Sequence, residues 1–173
     1  QPKAEVFLTA WDALVLQGGL TSGRWALVHA GASGVGTAGI QIAKAIGARI
    51  AVTCSGGKVD RCVALGADAA FDYTTTDFVE EIRTVTRGQG PDVILDVIGG
   101  DYIGRNLQAI AVKGRIVQVG LMAGAAAPGD LGLLLPKRAS LIGTVLRARP
   151  LEEKIALTRR FAAEPVARPA KAR

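Results

Sequence analysis

Between residues 28 and 36 the chain reads Val28-His29-Ala30-Gly31-Ala32-Ser33-Gly34-Val35-Gly36. An apolar segment, Trp25 to His29, leads into this run and a second apolar segment leaves it. Strand, glycine turn and helix in that order are the setting in which a dinucleotide-binding fingerprint has meaning. A helix starting at about Gly34 points its first free N–H groups and its positive dipole end at the turn. A diphosphate placed there is held by backbone donors without any cationic side chain. Binding of a nucleotide cofactor is therefore the first chemistry this chain suggests.

The usual pattern is Gly-x-Gly-x-x-Gly, and the matching positions are Gly31, Ser33 and Gly36, with Gly34 in addition. Gly31 is expected to allow the tight turn, and Gly36 to let the helix lie close on the sheet. Ser33 replaces the middle glycine and keeps a hydroxyl that can donate to a phosphate. The short-chain dehydrogenase spacing, Gly-x-x-x-Gly-x-Gly, is not met. That class also needs Tyr-x-x-x-Lys, and four residues after Tyr73 and Tyr102 stand Asp77 and Asn106.

The second strand ends at Thr53-Cys54-Ser55-Gly56-Gly57-Lys58. A site for the unphosphorylated cofactor places an Asp or Glu there to bind the ribose 2′-hydroxyl. No carboxylate is present in this stretch to repel a 2′-phosphate, and a hydroxyl, two glycines and a cation take its place. That combination favours NADPH on electrostatic grounds.

The elements that must position these groups alternate along the chain. Residues 4–17 have apolar side chains at helical spacing, and Gly18 and Gly19 follow. Strands are expected over 25–29, 48–53, 69–72, 93–97, 115–119 and 141–145. Helices are expected over 34–46, 59–65, 77–86, 102–109 and 151–161, with a short turn at 130–135. Gly47, Gly66, Gly88, Gly90, Pro91 and Gly114 punctuate the intervals. The pattern predicts an α/β fold: a Rossmann-type, doubly wound parallel sheet of about six strands with helices on both faces, forming one domain. Residues 1–22 form the leading helix and linker, 23–163 the NAD(P)-binding domain, and 164–173 a basic tail expected to fray.

A strand order of 3-2-1-4-5-6 puts the ligand outside the C-terminal ends, at the switch between the first and fourth strands. Asp96-Val97-Ile98-Gly99-Gly100 closes the fourth strand, and its glycines are expected to admit the cofactor backbone. Asp96 is read as an orienting acceptor. Val119-Gly120-Leu121 closes the fifth strand, where a nicotinamide lies in such folds. Residues 123–129 form a Gly/Ala/Pro stretch able to move over the cofactor.

The 173 residues are 49% hydrophobic, which suits one domain with a substantial core. No apolar run approaches the ~20 residues of a membrane span, and no membrane partner is expected. No signal peptide is read before the first helix, and cytoplasmic residence with reduced thiols is expected. Cys54 and Cys62 make no metal-ligand cluster, and Cys54 reads as a strand-end filler. His29, the single histidine, is expected to be packed, with no carboxylate partner evident. The net charge of +6 is concentrated from Arg147 onward, where eight basic residues face three acidic ones. Phe161 alone offers stacking there, so no nucleic-acid partner is expected.

Several segments together resemble a known family. Ala10-Trp11, the run from His29 to Ala38, Leu65-Gly66-Ala67-Asp68, the run from Asp92 to Gly100, and Gly114-Arg115-Ile116-Val117 are similar to the zinc-free quinone oxidoreductases. These belong to the medium-chain dehydrogenase/reductase superfamily. The run from Arg147 to Lys154 is also similar to that branch. The resemblance implies NADPH as cofactor and hydride transfer to a quinone or conjugated carbonyl. It places the diphosphate on Ser33, Gly34, Val35 and Gly36, and the 2′-phosphate on Ser55, Lys58 and Tyr73. It places Thr9, Val119, Gly120 and Leu121 on the nicotinamide side, and Val97 and Gly99 join the expected cofactor contacts from the end of the fourth strand. It names no catalytic residue and no metal. It also implies a barrel-like N-terminal domain that this chain does not contain, and which builds half of the substrate cleft. An enoyl-thioester reductase of the same superfamily shares the cofactor turn, and a non-catalytic NADPH-binding module remains open beside both. The uncharged sixth-strand edge predicts a homodimer.

Overall fold

The structure, a computed structural model, describes residues 3–167. Six parallel strands form one sheet in the order β3-β2-β1-β4-β5-β6. They are β1 Trp25–Val28, β2 Arg49–Cys54, β3 Ala69–Asp72, β4 Val93–Asp96, β5 Arg115–Gln118 and β6 Ser140–Gly143. Between them run α2 Gly34–Ala45, α3 Val59–Ala64, α4 Phe78–Val85, α5 Tyr102–Ala109 and the short α6 Leu134–Lys137. Helix α1, Lys3–Trp11, precedes the sheet and α7, Leu151–Ala163, follows it. β1 is central: Val28 pairs in register with Val52 on one side and Leu95 on the other.

Side-chain alternation divides the core. Val28, Val52 and Leu95 turn to one face and pack with Leu14, Ile40 and Cys62. Leu27, Ile94 and Ile116 turn to the other and meet Phe78, Ile82 and Leu107. Strands buried on both faces need continuous apolar runs, which these are. A third cluster joins α1 and α7 through Val6, Trp11, Ile42 and Leu157. Trp11 and Phe161 meet there with ring centroids 5.4 Å apart.

The leading helix departs from expectation in its second half. Asp12–Gln17 is a π-helix, closed by the Gly18 N–H donating to Ala13 O at 2.9 Å. Spacings of one, three and four residues over so short a segment do not separate α from π register. The wider turn seats Gly18 against β4, where a Cβ would stand 2.6 Å from Val93 Cγ1. Asp12, 2% exposed, lies inside this turn and is held by the Arg149 guanidinium and near Thr144. The sixth strand is shorter than expected, Ser140–Gly143, and lies on the sheet edge as foreseen. Residues 165–167 form a 3₁₀ turn, and Val166 packs on the third cluster. The rest of the expected basic tail, residues 168–173, lies outside the described residues.

Candidate functional site

The glycine turn joins β1 to α2. Its left-handed residue is Ala30, with φ +56°, and not Gly31, which corrects the expected role of that glycine. Gly31 is required for space, since a Cβ on it would stand 2.4 Å from Val52 Cβ. A Cβ on Gly36 would stand 2.3 Å from Ala30 O and 2.6 Å from Gly31 C. Two backbones thus touch where the helix leaves the turn. Ser33 is the N-cap: its Oγ accepts from Gly36 N at 3.1 Å and donates to Ala30 O at 2.7 Å. Its hydroxyl proton is therefore committed within the turn and is not free for a phosphate. The N–H groups of Gly34 and Val35 have no acceptor among the described residues. These two donors stand at the positive end of a 12-residue helix, where the dipole favours a negative group.

Two clefts meet at this point. One, of about 500 Å³, is lined by Ser33, Ser55, Lys58, Tyr73, Ile98 and Tyr102 among others. The other, of about 400 Å³, is lined by Thr9, Ser33, Gly34, Val35, Val97 and Val119, with Glu5 and Arg147. Ala30, Ser33 and Met122 border both. A ligand bridged by a diphosphate, with one group to each side, matches this shape. Gly120 and Leu121 border a third cleft of about 640 Å³ that shares Val119 and Val145 with the second.

The structure brings Ser55, Lys58 and Tyr73 to one cleft and Thr9, Val97 and Val119 to the other. Gly31, Gly36 and Gly99 do not line either one. Gly99 and Gly100 are left-handed, with φ +67° and +54°. The space over them is filled by Leu121, Ala123 and Gly124 of the following loop, so it does not admit a cofactor backbone. Lys58 is exposed; its backbone N–H donates to Ser55 O at 2.9 Å, and its ammonium makes no ion pair or hydrogen bond among the described residues. The expectation that no carboxylate stands nearby also changes. Asp72, at the end of β3, places its Oδ2 2.4 Å from where a Gly56 Cβ would be. Hydrogen bonds from Thr74 hold this carboxyl below the usual range. Ile98, Tyr102, Met122, Glu5 and Arg147 were missed in the sequence; they enter the clefts from segments remote in the chain.

A buried polar chain underlies the turn. His29 Nδ1 lies 3.0 Å from Thr53 Oγ1, and Nε2 2.7 Å from Asn106 Oδ1. Asn106 Nδ2 donates to Asp96 Oδ2 at 2.9 Å. Asp96 Oδ1 accepts from Ile98 N at 2.6 Å and Gly99 N at 3.2 Å. With the Asn106 amide so oriented, His29 carries its proton on Nε2 and accepts from Thr53 at Nδ1. This network joins the C-terminal ends of β1, β2 and β4, beneath the two clefts. Asn106 thus supplies the link from His29 to a carboxylate that no sequence spacing revealed. Burial lowers the His29 pKa, and the charge on Asp96 only partly opposes it. Burial, followed by Cys62, pushes the Cys54 thiol up to about 11, which makes it an unreactive filler.

Fold and site define an NAD(P)-binding domain of the medium-chain dehydrogenase/reductase superfamily. Residues 34–163 match the family model described as zinc-binding dehydrogenase, and the chain belongs to that family. It is 40% identical over 117 residues to a phenolphthiocerol synthesis polyketide synthase of Mycobacterium marinum. That match covers 66% of this chain but 6% of the synthase. A putative enoyl reductase domain of a polyketide synthase is 34% identical, with TM-score 0.80, covering 93% of this chain and 89% of that one. The nucleotide-binding subdomain of the enoylreductase domain of PpsC from Mycobacterium tuberculosis is 34% identical, with TM-score 0.81 and coverages of 93% and 90%. Both of these solved structures are of enoyl reductases, so the quinone branch suggested by the sequence is not the one they support. No group of three or more His, Cys, Asp or Glu among the described residues could hold a metal. Among the described residues no helix is long and apolar enough to cross a membrane.

Proposed function

We propose that this chain is the NADPH-binding domain of an enoyl-thioester reductase. The observation that carries it is the pair of clefts meeting at Ala30 and Ser33, the second also lined by Gly34 and Val35 with their free N–H groups, on a domain similar to polyketide synthase enoyl reductases. When bound, NADPH supplies a hydride from its nicotinamide ring. Gly34 and Val35 hold the diphosphate. Ser55 and the Lys58 ammonium take the 2′-phosphate, with Tyr73 beside them. Thr9, Val97 and Val119 wall the nicotinamide half and, with Gly120 and Leu121 next to them, keep it dry. Asp72 stands behind Gly56 and opposes part of the Lys58 attraction, so NADPH is favoured over NADH by a margin that Lys58 sets.

Titration of NADPH and NADH, followed by an assay of the full-length protein with a crotonyl thioester and with a small quinone, tests this. Thioester reduction driven by NADPH is the expected result. Reduction of the quinone alone returns the acceptor to the quinone class, and binding without turnover of either makes the domain a non-catalytic module. We also propose that β6 pairs with a second copy, because Leu141 is 45% exposed on an edge without charge from Ser140 to Leu146. A single-chain mass by light scattering at micromolar concentration overturns that.

A further inference from the structure

We propose that Arg147 binds the nicotinamide-side phosphate of the cofactor, so that the diphosphate is gripped between the α2 N-terminus and a guanidinium on the facing wall. This assignment rests on the cofactor reading above and adds a cation to a site that the sequence placed on backbone donors alone. Arg147 lines the cleft of about 400 Å³ together with Gly34 and Val35, although 113 and 112 positions separate them in the chain. Its side chain is exposed and has no acidic partner among the described residues.

The backbone that carries Arg147 is fixed on both sides. Lys154 Nζ donates to the Arg147 carbonyl at 3.0 Å, and Arg149 N donates to Leu146 O at 3.0 Å. The Arg149 side chain is itself locked on buried Asp12. A rigid turn thus presents one uncommitted guanidinium to an anion site. A planar guanidinium matches two phosphate oxygens, and little is lost in ordering it when its backbone is already held. The other charged residue lining this cleft is Glu5, which has no ion-pair partner among the described residues. A carboxylate there repels a diphosphate, and Arg147 is the group that offsets it.

The test compares Arg147→Gln and Arg147→Lys with the wild type in the full chain, measuring affinity for NADPH and for 2′,5′-ADP by calorimetry. The second ligand carries the adenosine half and lacks the nicotinamide-side phosphate. Arg147→Gln is expected to weaken NADPH by about 10- to 100-fold, the range for a charged hydrogen bond. It is expected to leave 2′,5′-ADP within about twofold, since no charged bond to that ligand is lost. Arg147→Lys recovers part of the NADPH affinity. Unchanged NADPH affinity, or equal losses for both ligands, overturns the assignment. Failure of the wild type to bind 2′,5′-ADP at all overturns the cofactor reading beneath it instead.

Discussion

Replacing Gly36 by alanine should damage both folding and cofactor binding, whereas the same change two residues earlier should not. The new Cβ at position 36 stands 2.3 Å from Ala30 O and 2.6 Å from both Gly31 C and Cα. All three are backbone atoms of the turn, so no side chain can rotate away. Relief to ordinary contact needs a shift of about 1 Å between the turn and the helix start. Overpacking of this kind costs about 1–3 kcal/mol. The same shift moves the Gly34 and Val35 N–H groups off the diphosphate, and misplacing one charged hydrogen bond costs about 1.5–3 kcal/mol. At Gly34 the new Cβ meets only Val6, with Cγ1 at 3.0 Å, a side chain on a neighbouring helix that can give. Alanine is also a better helix former than glycine by about 1 kcal/mol, which offsets that contact. Urea denaturation and NADPH fluorescence titration on Gly36→Ala and Gly34→Ala read both quantities. A Gly36→Ala variant as stable and as tight as the wild type refutes the packing account of the turn, and equal damage from the two variants refutes its localisation.

Lys58→Glu should weaken NADPH far more than NADH, read by parallel titrations; equal losses mean that Lys58 does not meet the 2′-phosphate. Asn106→Leu strips buried Asp96 and His29 of a shared partner and should cost about 1–3 kcal/mol per orphaned group in a urea midpoint. Because the folded pKa of His29 lies below 6.5, the unfolded chain binds the proton more readily. Its contribution to stability is complete above pH 6.5 and is lost as pH falls from there toward the folded pKa, by at most about 1.4 kcal/mol per pH unit. His29→Gln should flatten the urea midpoint between about pH 7 and 5, and an unchanged slope counts against a neutral buried histidine. Asp12→Ala leaves the Arg149 guanidinium, 18% exposed, without its buried partner and should destabilise by about 3 kcal/mol or more in thermal or urea unfolding.

Local signals made the sheet and its turn legible. Short apolar strands alternating with helical periods, each stopped by glycine or proline, leave few arrangements once crossovers must be right-handed. The run from Val28 to Gly36 announces a helix start because that start and its capping serine are set by neighbours three residues apart. Everything that needed distant residues to meet was decided by folding. Asp12, at the start of the π-helical turn, finds its partner in Arg149, 137 positions away. The partner of His29 is Asn106, across 77 positions, and through it Asp96. Asp72 behind Gly56, and Arg147 in the cleft that Gly34 lines, are placed by strand order and not by spacing. A parallel sheet collects the ends of strands remote in sequence at one edge, so the turn can be read from a single segment while the charges facing it cannot.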